Sequence, residues 1–274
     1  MTDPGEQRVS CTVTDGVADV RLDRADKLNA LDPSMASALI ATGERLRRDP
    51  RVRVVVVSGN GRAFCAGLDL RSFQAMAGGQ AVRLRHDDEQ PYTGAASSTG
   101  QRAAHVWAEL PMPVIAAVHG VAFGGGLQIA LGADIRMVAP DARLSVMEIR
   151  WGLAPDMTGT QVLPELVGRD VAKELTFTGR IVDGEEAGRI GLATKVTAEP
   201  RKAALELARE IAGKNPQAIR WAKQLLDLAG RTPIADGFAA EQQAIGELIG
   251  SRNQVEAVRA NLDERTPVFT DDPQ

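Results

Sequence analysis

The sequence predicts an α/β fold in which strands and helices alternate through roughly the first 200 residues and give way to an all-helical C-terminal region. Two observations predict the first part. Runs rich in β-branched residues, such as Val52-Arg-Val-Val-Val-Val57, pass through glycine-rich turns into segments of helical apolar spacing, and this happens more than once. A third predicts the second part: after Pro200 the apolar residues keep helical spacing to the end of the chain, with no glycine-, serine- and proline-rich linker at the junction. The 274 residues are enough to bury about three quarters of the unfolded surface in one core.

Taken in order, residues 13–22 and 52–57 predict strands from their β-branched content. Between them Asp32-Pro33, followed by Met35, Leu39 and Leu46, supplies an N-cap, a proline at the first helical position and one apolar face. Further strands are expected at residues 114–118, 135–138 and 193–196, and helices near 127–131, 160–167 and 171–176. Asp183-Gly-Glu-Glu186 opens a short helix that Gly191 can close. The C-terminal helices are expected at 201–212, 216–229 after Asn215, 234–249 and 254–262. Residues 78–100 are the least regular segment, with Gly78-Gly79, the charged residues 83–89 and Ser97-Ser98-Thr99, and read as mobile or ordered by a ligand. The run 111–133 lacks Asp, Glu, Lys and Arg and is long enough to span a bilayer, but Pro111, Pro113, His119 and five glycines make it a buried strand–turn–helix unit.

Composition excludes several function classes. A net charge of −4 argues against a nucleic-acid surface built on bulk positive charge. The basic residues in 45–53 read as a solvated helix end. The only cysteines, Cys11 and Cys65, lie far apart and without metal-ligand spacing, which fits a reducing compartment. The first residues lack the basic-then-apolar order of a secretory signal, so the expected location is the cytoplasm, with no membrane partner.

Two glycine-rich turns carry the functional signal. In Gly120-Val-Ala-Phe-Gly-Gly-Gly-Leu-Gln128 three consecutive glycines stand between a strand-like and a helix-like run. Each glycine costs about 1 kcal/mol against alanine inside a helix, so side chains there would obstruct something. The first N–H groups of a helix lack internal partners and can hold an anion or a developing oxyanion, although close helix–strand packing explains an isolated triple glycine as well. Gly59-Asn-Gly-Arg-Ala-Phe-Cys-Ala-Gly-Leu-Asp-Leu70 is a second such turn, and two turns can supply two donors.

Ala63-Phe-Cys-Ala-Gly-Leu-Asp69 and Gly120-Val-Ala-Phe-Gly-Gly-Gly126, with the intervening Pro113-Val-Ile-Ala-Ala-Val-His-Gly120, together resemble the crotonase superfamily, the enoyl-CoA hydratase/isomerase family. Family-like segments extend from about Val13 to Phe269. The resemblance implies a crotonase-like spiral of repeated ββα units, with residues 1–200 holding the acyl-CoA site and 201–274 forming a helical oligomerisation region. It also implies a homotrimer or a dimer of trimers. The ending Arg265-Thr-Pro-Val-Phe269 matches the family in outline, with Ala257 where a glycine is usual.

The same resemblance assigns residues to chemistry. It places the backbone N–H groups of Leu68 and Gly125 on the thioester carbonyl oxygen, where they would stabilise an enolate-like species, and puts Gly124 in the same substrate-binding turn. The two glutamates of the family's hydratases align with Gln128 and Glu148, so one carboxylate remains. Gln128 can hydrogen-bond substrate or water but cannot take a proton as a base near neutral pH. Glu148-Ile-Arg-Trp-Gly-Leu-Ala-Pro-Asp156 adds an acid where hydratases usually place glycine, a spacing similar to the dienoyl-CoA isomerase branch, whose third acid aligns with Gln128 and is absent.

Double-bond isomerisation, with Glu148 moving the proton and Asp156 as partner, is therefore the expected chemistry. Hydration by Glu148 assisted by Gln128 is the alternative, and a non-catalytic CoA-ester or RNA-binding member is an alternative of another class. Lys27 is expected near phosphate, the backbone of residues 28–30, including Leu28 and Ala30, beside pantetheine or adenine, and Ala66 and Asp69 near adenine. Structural readings stand beside each: a backbone-bonded carboxylate for Glu148, a turn residue or partner of Arg150 for Asp156, a satisfied amide for Gln128, an exposed Lys27 and a helix-capping Asp69. None of His86, His105 and His119 has a nucleophile–acid framework around it. Gly59-Asn-Gly-Arg-Ala-Phe64 ends in phenylalanine where a dinucleotide fingerprint needs glycine, so no cofactor is expected beyond the coenzyme A of the substrate itself, and no metal.

Overall fold

The computed structural model describes residues 7–82, 84 and 95–271. The chain opens with a hairpin, β1 (Val9–Thr14) and β2 (Val17–Leu22), rather than the single strand expected over 13–22. The turn is Asp15-Gly16, both at positive φ (50° and 79°), the residue pair that suits a tight hairpin. Next come α1 (Pro33–Arg47), β3 (Val54–Gly59), α2 (Leu70–Ala77) and α3 (Thr99–His105). Asp32 caps α1 by accepting from the Met35 N–H at 2.7 Å, with Pro33 at the first helical position. α3 falls at the end of the segment expected to be irregular. Its start is a reciprocal box in which Ser98 Oγ accepts from Gln101 N–H and the Gln101 side chain accepts from Ser98 N–H. The charged residues 83–89, apart from Leu84, lie outside the described residues.

The charge-free run 111–133 divides into β4 (Val114–Val118), β5 (Val121–Phe123) and α4 (Gly125–Leu131). Among the described residues no helix is long and apolar enough to cross a membrane. The chain continues through β6 (Ile135–Val138), β7 (Arg143–Ser145), α5 (Gly159–Val167), α6 (Arg169–Thr178), β8 (Val182–Asp183), α7 (Gly184–Arg189) and β9 (Lys195–Val196). It ends with α8 (Pro200–Ala212), α9 (Pro216–Leu228), α10 (Ile234–Leu248) and α11 (Arg252–Leu262).

Two sheets result, one ordered β1-β2-β3-β4-β6-β9 and one ordered β5-β7-β8. Each unit sends one strand into the first sheet, steps into the second layer and returns by a helix. The pairs β4–β5 and β6–β7 do this with full strands. After β2 and β3 the second-layer contribution shrinks to isolated bridges, Leu31 to Leu68 and Cys65 to Ala122. The repeat is thus a ββα spiral in which early units contribute only a turn to the second layer, and that shortened layer builds the site.

β3 is buried along its whole length because both faces are covered. Val55 and Val57 point into the main core with Ala116 and Val118, while Val54 and Val56 join Ile115 and Ala117 on the opposite face, as the period of two requires. That second face is covered by α8 through Ala204, Ala208 and Ala212, spaced by four residues, whose small side chains let the helix lie close on the sheet. α9 is anchored by Lys223, buried on its inner side, whose Nζ donates to Asp134 Oδ2 at 2.8 Å and to the Met112 carbonyl at 3.2 Å.

Gly120 links β4 to β5 at φ 61°, and a Cβ there would lie 1.9 Å from the Arg62 carbonyl oxygen. Gly120→Ala is expected to destabilise the fold by about 3 kcal/mol or more. Gly246→Ala, on a part of α10 where a Cβ meets nothing within 4 Å, is expected to stabilise by up to about 1 kcal/mol. Urea denaturation midpoints of the two variants should move in opposite directions.

Candidate active site

Four turns lie side by side through backbone hydrogen bonds. Ala66 N–H donates to the Leu28 carbonyl, Leu31 N–H to Gly67 and Asp69 N–H to Leu31, at 2.9, 2.7 and 3.0 Å. Cys65 exchanges with Val121 and Phe123 at 3.0 and 3.1 Å, and Gly124 N–H donates to Ser145 at 2.9 Å. Because Gly67 and Asp69 make the exchange with Leu31, the N–H of Leu68 is left out of it and donates to no backbone carbonyl among the described residues. Gly125 is the first residue of α4, so its N–H has no acceptor within the helix.

The glycines allow these turns to touch. A Cβ on Gly67 (φ 83°) would lie 2.5 Å from the Phe123 carbonyl oxygen and 3.6 Å from Gly125 N. Gly126 abuts the Cys65 carbonyl, and Gly125 sits against Met157 and Leu31. Gly124 has φ 50° and ψ −120°, a conformation glycine adopts readily, and faces the Glu148 carboxyl, whose Oε1 would be 3.4 Å from a Cβ. Packing and exposure of backbone donors are therefore two results of one contact, not competing explanations.

Glu148 opens a 3-10 turn, Glu148–Trp151, and is buried. Its Oε1 accepts from Gln128 Nε2 at 2.6 Å, while its Oε2 is buried with no hydrogen-bond partner among the described residues. Burial first, then the nearby Asp156 charge, push the carboxyl above the ordinary glutamate range, against the opposing pull of its own backbone N–H and of Gln128. Asp156 keeps solvent contact, yet the protein around it raises its carboxyl as well.

Gln128 does not occupy the place expected of a substrate-binding residue. It is buried behind Glu148, outside the cavity wall, and its Oε1 accepts from both Met157 N–H and Gly159 N–H at 2.9 Å. One amide thus orients Glu148 and pins the loop that carries Asp156.

A cavity of about 1070 Å³ brings together Lys27, Leu28, Ala30, Ala66, Leu68, Asp69, Gly124, Gly125, Glu148 and Asp156. Lys27 is exposed at the edge. Asp69 caps α2 through Arg71 N–H and pairs with Arg24 Nη1 at 2.6 Å; those partners outweigh burial and hold its carboxyl below its ordinary value. His119 bonds the Gly61 carbonyl, His105 lies 3.7 Å from Glu109, and His86 lies outside the described residues. Cys65 is buried, its thiol pushed up to about 12 by burial. Among the described residues no three His, Cys, Asp or Glu side chains are grouped to hold a metal.

The sequence reading missed two groups. Asn29, at φ 55°, donates to the Asn60 and Ala63 carbonyls at 2.9 and 2.8 Å and accepts from Arg24 N–H, tying the 24–31 turn to the 59–63 turn. An asparagine between two apolar residues, Leu28 and Ala30, was the available signal. Phe73 and Trp151 stack with ring centroids 3.9 Å apart and line the same cavity; nothing in their sequence separation announces the pair.

Residues 12–272 match the family model described as enoyl-CoA hydratase/isomerase. YngF of Bacillus subtilis (strain 168), a protein of enoyl-CoA hydratase/isomerase type, is 36% identical over 253 residues, covering 91% of this chain and 93% of its own. The mitochondrial methylglutaconyl-CoA hydratase of Mus musculus is 30% identical over 261 residues, covering 93% of this chain and 79% of its own. The solved structure of an enoyl-CoA hydratase from Bacillus anthracis superposes with a TM-score of 0.85 at 29% identity, covering 97% of this chain and all of that one.

The raised Glu148 carboxyl has a consequence for stability. The unfolded chain releases this proton in the ordinary glutamate range while the folded protein still holds it, so native stability is lost as pH rises through the raised value. Glu148→Gln removes that loss. It is expected to raise the melting temperature at pH 8 and to leave it unchanged below about pH 4, as read by calorimetry at the two pH values.

Proposed function

The chain belongs to the enoyl-CoA hydratase/isomerase family, and from that premise we propose that it shifts a carbon–carbon double bond in an acyl-CoA thioester by proton transfer through an enolate. The observation that carries this reading is the pairing of one carboxylate oxygen, Glu148 Oε2, that has no partner among the described residues with an amide at Gln128 whose acceptor is fully used. Activation of water by two carboxylates requires a second acceptor at position 128. Gln128 offers none to the cavity, because both lone pairs of its Oε1 receive backbone N–H groups.

In this scheme the thioester oxygen lies on the Leu68 and Gly125 N–H groups. Glu148 Oε2 takes a proton from C2 of a 3-enoyl chain, and the C–H electrons move into a C1–C2 double bond as charge settles on the oxygen. Return of the proton to C4 sends the electrons back, leaving the double bond between C2 and C3. Fixed backbone donors aimed at the developing charge stabilise it more than the neutral ground state, an effect of about 100- to 1000-fold per donor at comparable sites. The raised carboxyl brings proton affinity closer to that of the carbon acid, and Asp156 at the mouth is the second group available when the proton must travel further. Coenzyme A enters only as part of the substrate, with Lys27, Leu28, Ala30, Ala66 and Asp69 toward its nucleotide and pantetheine. No separate cofactor takes part.

Hydration is the second reading, favoured by the relatives named as hydratases; a water held on Glu148 Oε2 alone would serve it. A homotrimer or dimer of trimers belongs to the same proposal, supported by Ile234, Phe238 and Ile245, which are exposed along one side of α10, and by Ile249, exposed just after it.

Incubation with 3-enoyl-CoA is expected to give 2-enoyl-CoA with no change of mass. A product heavier by one water, formed faster from 2-enoyl-CoA than the isomer is formed from 3-enoyl-CoA, would overturn the isomerase reading. Glu148→Gln is expected to lower kcat by about 100- to 10,000-fold with the fold intact. The acid limb of kcat/KM should lie above the ordinary glutamate range, because turnover needs the ionised form of a group whose pKa is raised. Light scattering is expected to return three or six times the chain mass of 29.2 kDa.

A further inference from the structure

The cavity does not end at Glu148. It continues between α2 and the Glu148–Trp151 turn, where its wall changes from peptide groups to large apolar side chains. Leu70, Phe73 and Met76 follow one another at three-residue intervals on α2, and all three line the cavity. Phe73 stacks on Trp151 at 3.9 Å with an interplanar angle of 16°, so the helix and the turn form one continuous wall. Val82 and Leu84 line the cavity from the segment that follows α2.

Leu70 and Trp151 remain 67% and 47% exposed although they face a concave site. Large apolar side chains left wet inside a cavity mark a surface that a ligand dries. Phe73, Met76, Val82 and Leu84 offer no hydrogen-bond donor, so a chain lying against these four loses no hydrogen bond only if it is apolar; the donors of the same cavity, Arg71 and Gln74 of α2 with Ser97, Ser98 and Thr99, belong to its polar part. From Leu70 to Met76 the helix rises about 9 Å, further than a four-carbon acyl group can cover once its thioester is held beside Glu148.

We propose that this wall receives an apolar acyl chain of medium to long length, and that the Phe73–Trp151 pair sets the enzyme's chain-length preference. The proposal rests on the enolate reading for the position of the thioester, and names the substrate class of that same site. Chain carbons beyond the reacting double bond lie along Phe73 and Trp151, and each methylene removed from water there strengthens binding by up to about 4-fold.

The test uses the full chain and CoA thioesters of four, eight and twelve carbons, as 3-enoyl substrates and as saturated ligands. The wild type is expected to show kcat/KM rising with chain length. Phe73→Ala and Trp151→Ala are each expected to lower the twelve-carbon value by about 10-fold, mainly through KM, while leaving the four-carbon value within about 2-fold. Phe73→Leu, which retains an apolar group, should recover part of the loss and covers the case in which Phe73→Ala fails to fold.

Binding has its own readout. Trp107 is buried, Trp221 partly buried and Trp151 half exposed, so dodecanoyl-CoA should shift the emission of the wild type to the blue and that of Trp151→Phe much less, with free coenzyme A causing little change in either. A wild type fastest on the four-carbon thioester, an unchanged chain-length dependence in both alanine variants, or an equal shift with free coenzyme A would overturn the proposal. Failure of the enolate reading looks different: the blue shift with dodecanoyl-CoA persists while no enoyl thioester of any length is isomerised.

Discussion

The site depends on backbone meeting backbone without side chains between. The Gly67 turn sits against the Phe123 carbonyl, and Gly126 against the Cys65 carbonyl, at separations that a Cβ would violate. Once those contacts form, strand-like pairing from Leu31 through Cys65 to Val121 uses the neighbouring N–H groups in pairs and leaves those of Leu68 and Gly125 over. Donors made this way are rigid, because each belongs to a turn bonded on at least one side, and they need no particular side chain at their own positions. A leucine at 68 is compatible with the proposed role for that reason.

A second constraint acts on charge. Glu148 is buried with one oxygen bonded and the other free, an arrangement that raises its proton affinity and weakens the folded state above that pKa. Gln128 limits the cost and supplies order. Its donor holds Glu148 Oε1 while its acceptor holds two peptide groups of the loop after Asp156, so the two carboxyls are positioned by one residue that lies behind the cavity wall. The loop's fixed position also places Met157 against Gly125, so the donor turn and the acidic loop pack on each other directly.

The proposed route needs a third property, an apolar space in which the rest of the acyl group lies. α2 begins immediately after the Leu68 turn and Trp151 ends the turn that Glu148 begins, so the two elements beside the proposed reactive groups also carry the walls. Recognition and chemistry then share supports: displacement of α2 would move both Phe73 and the segment containing Leu68. The C-terminal helices stand further away, with α8 closing the second face of the sheet and Lys223 of α9 bonded to Asp134.

Much was legible before any coordinates. Strand and helix alternation, the caps at Asp32 and Asp183, and the helical C-terminal region follow from local spacing and from residues that bond their own backbone. The short strands β5, β7 and β8 were not legible, because two or three residues carry no periodicity, and residues 13–22 read as one strand because the Asp15-Gly16 turn interrupts a continuous β-branched run. The glycine motifs identified the two turns and their family resemblance, since glycine is needed wherever backbone must approach backbone. What the motifs left open was the role of Gln128 and the Phe73–Trp151 wall. An amide's part depends on which lone pairs are already taken, and two aromatic rings meet only after helices separated by some seventy residues have packed. By itself the sequence determined where donors, acids and helices lie along the chain. Only the tertiary structure decided which of them converge, because convergence is a matter of distances between segments that local propensity does not encode.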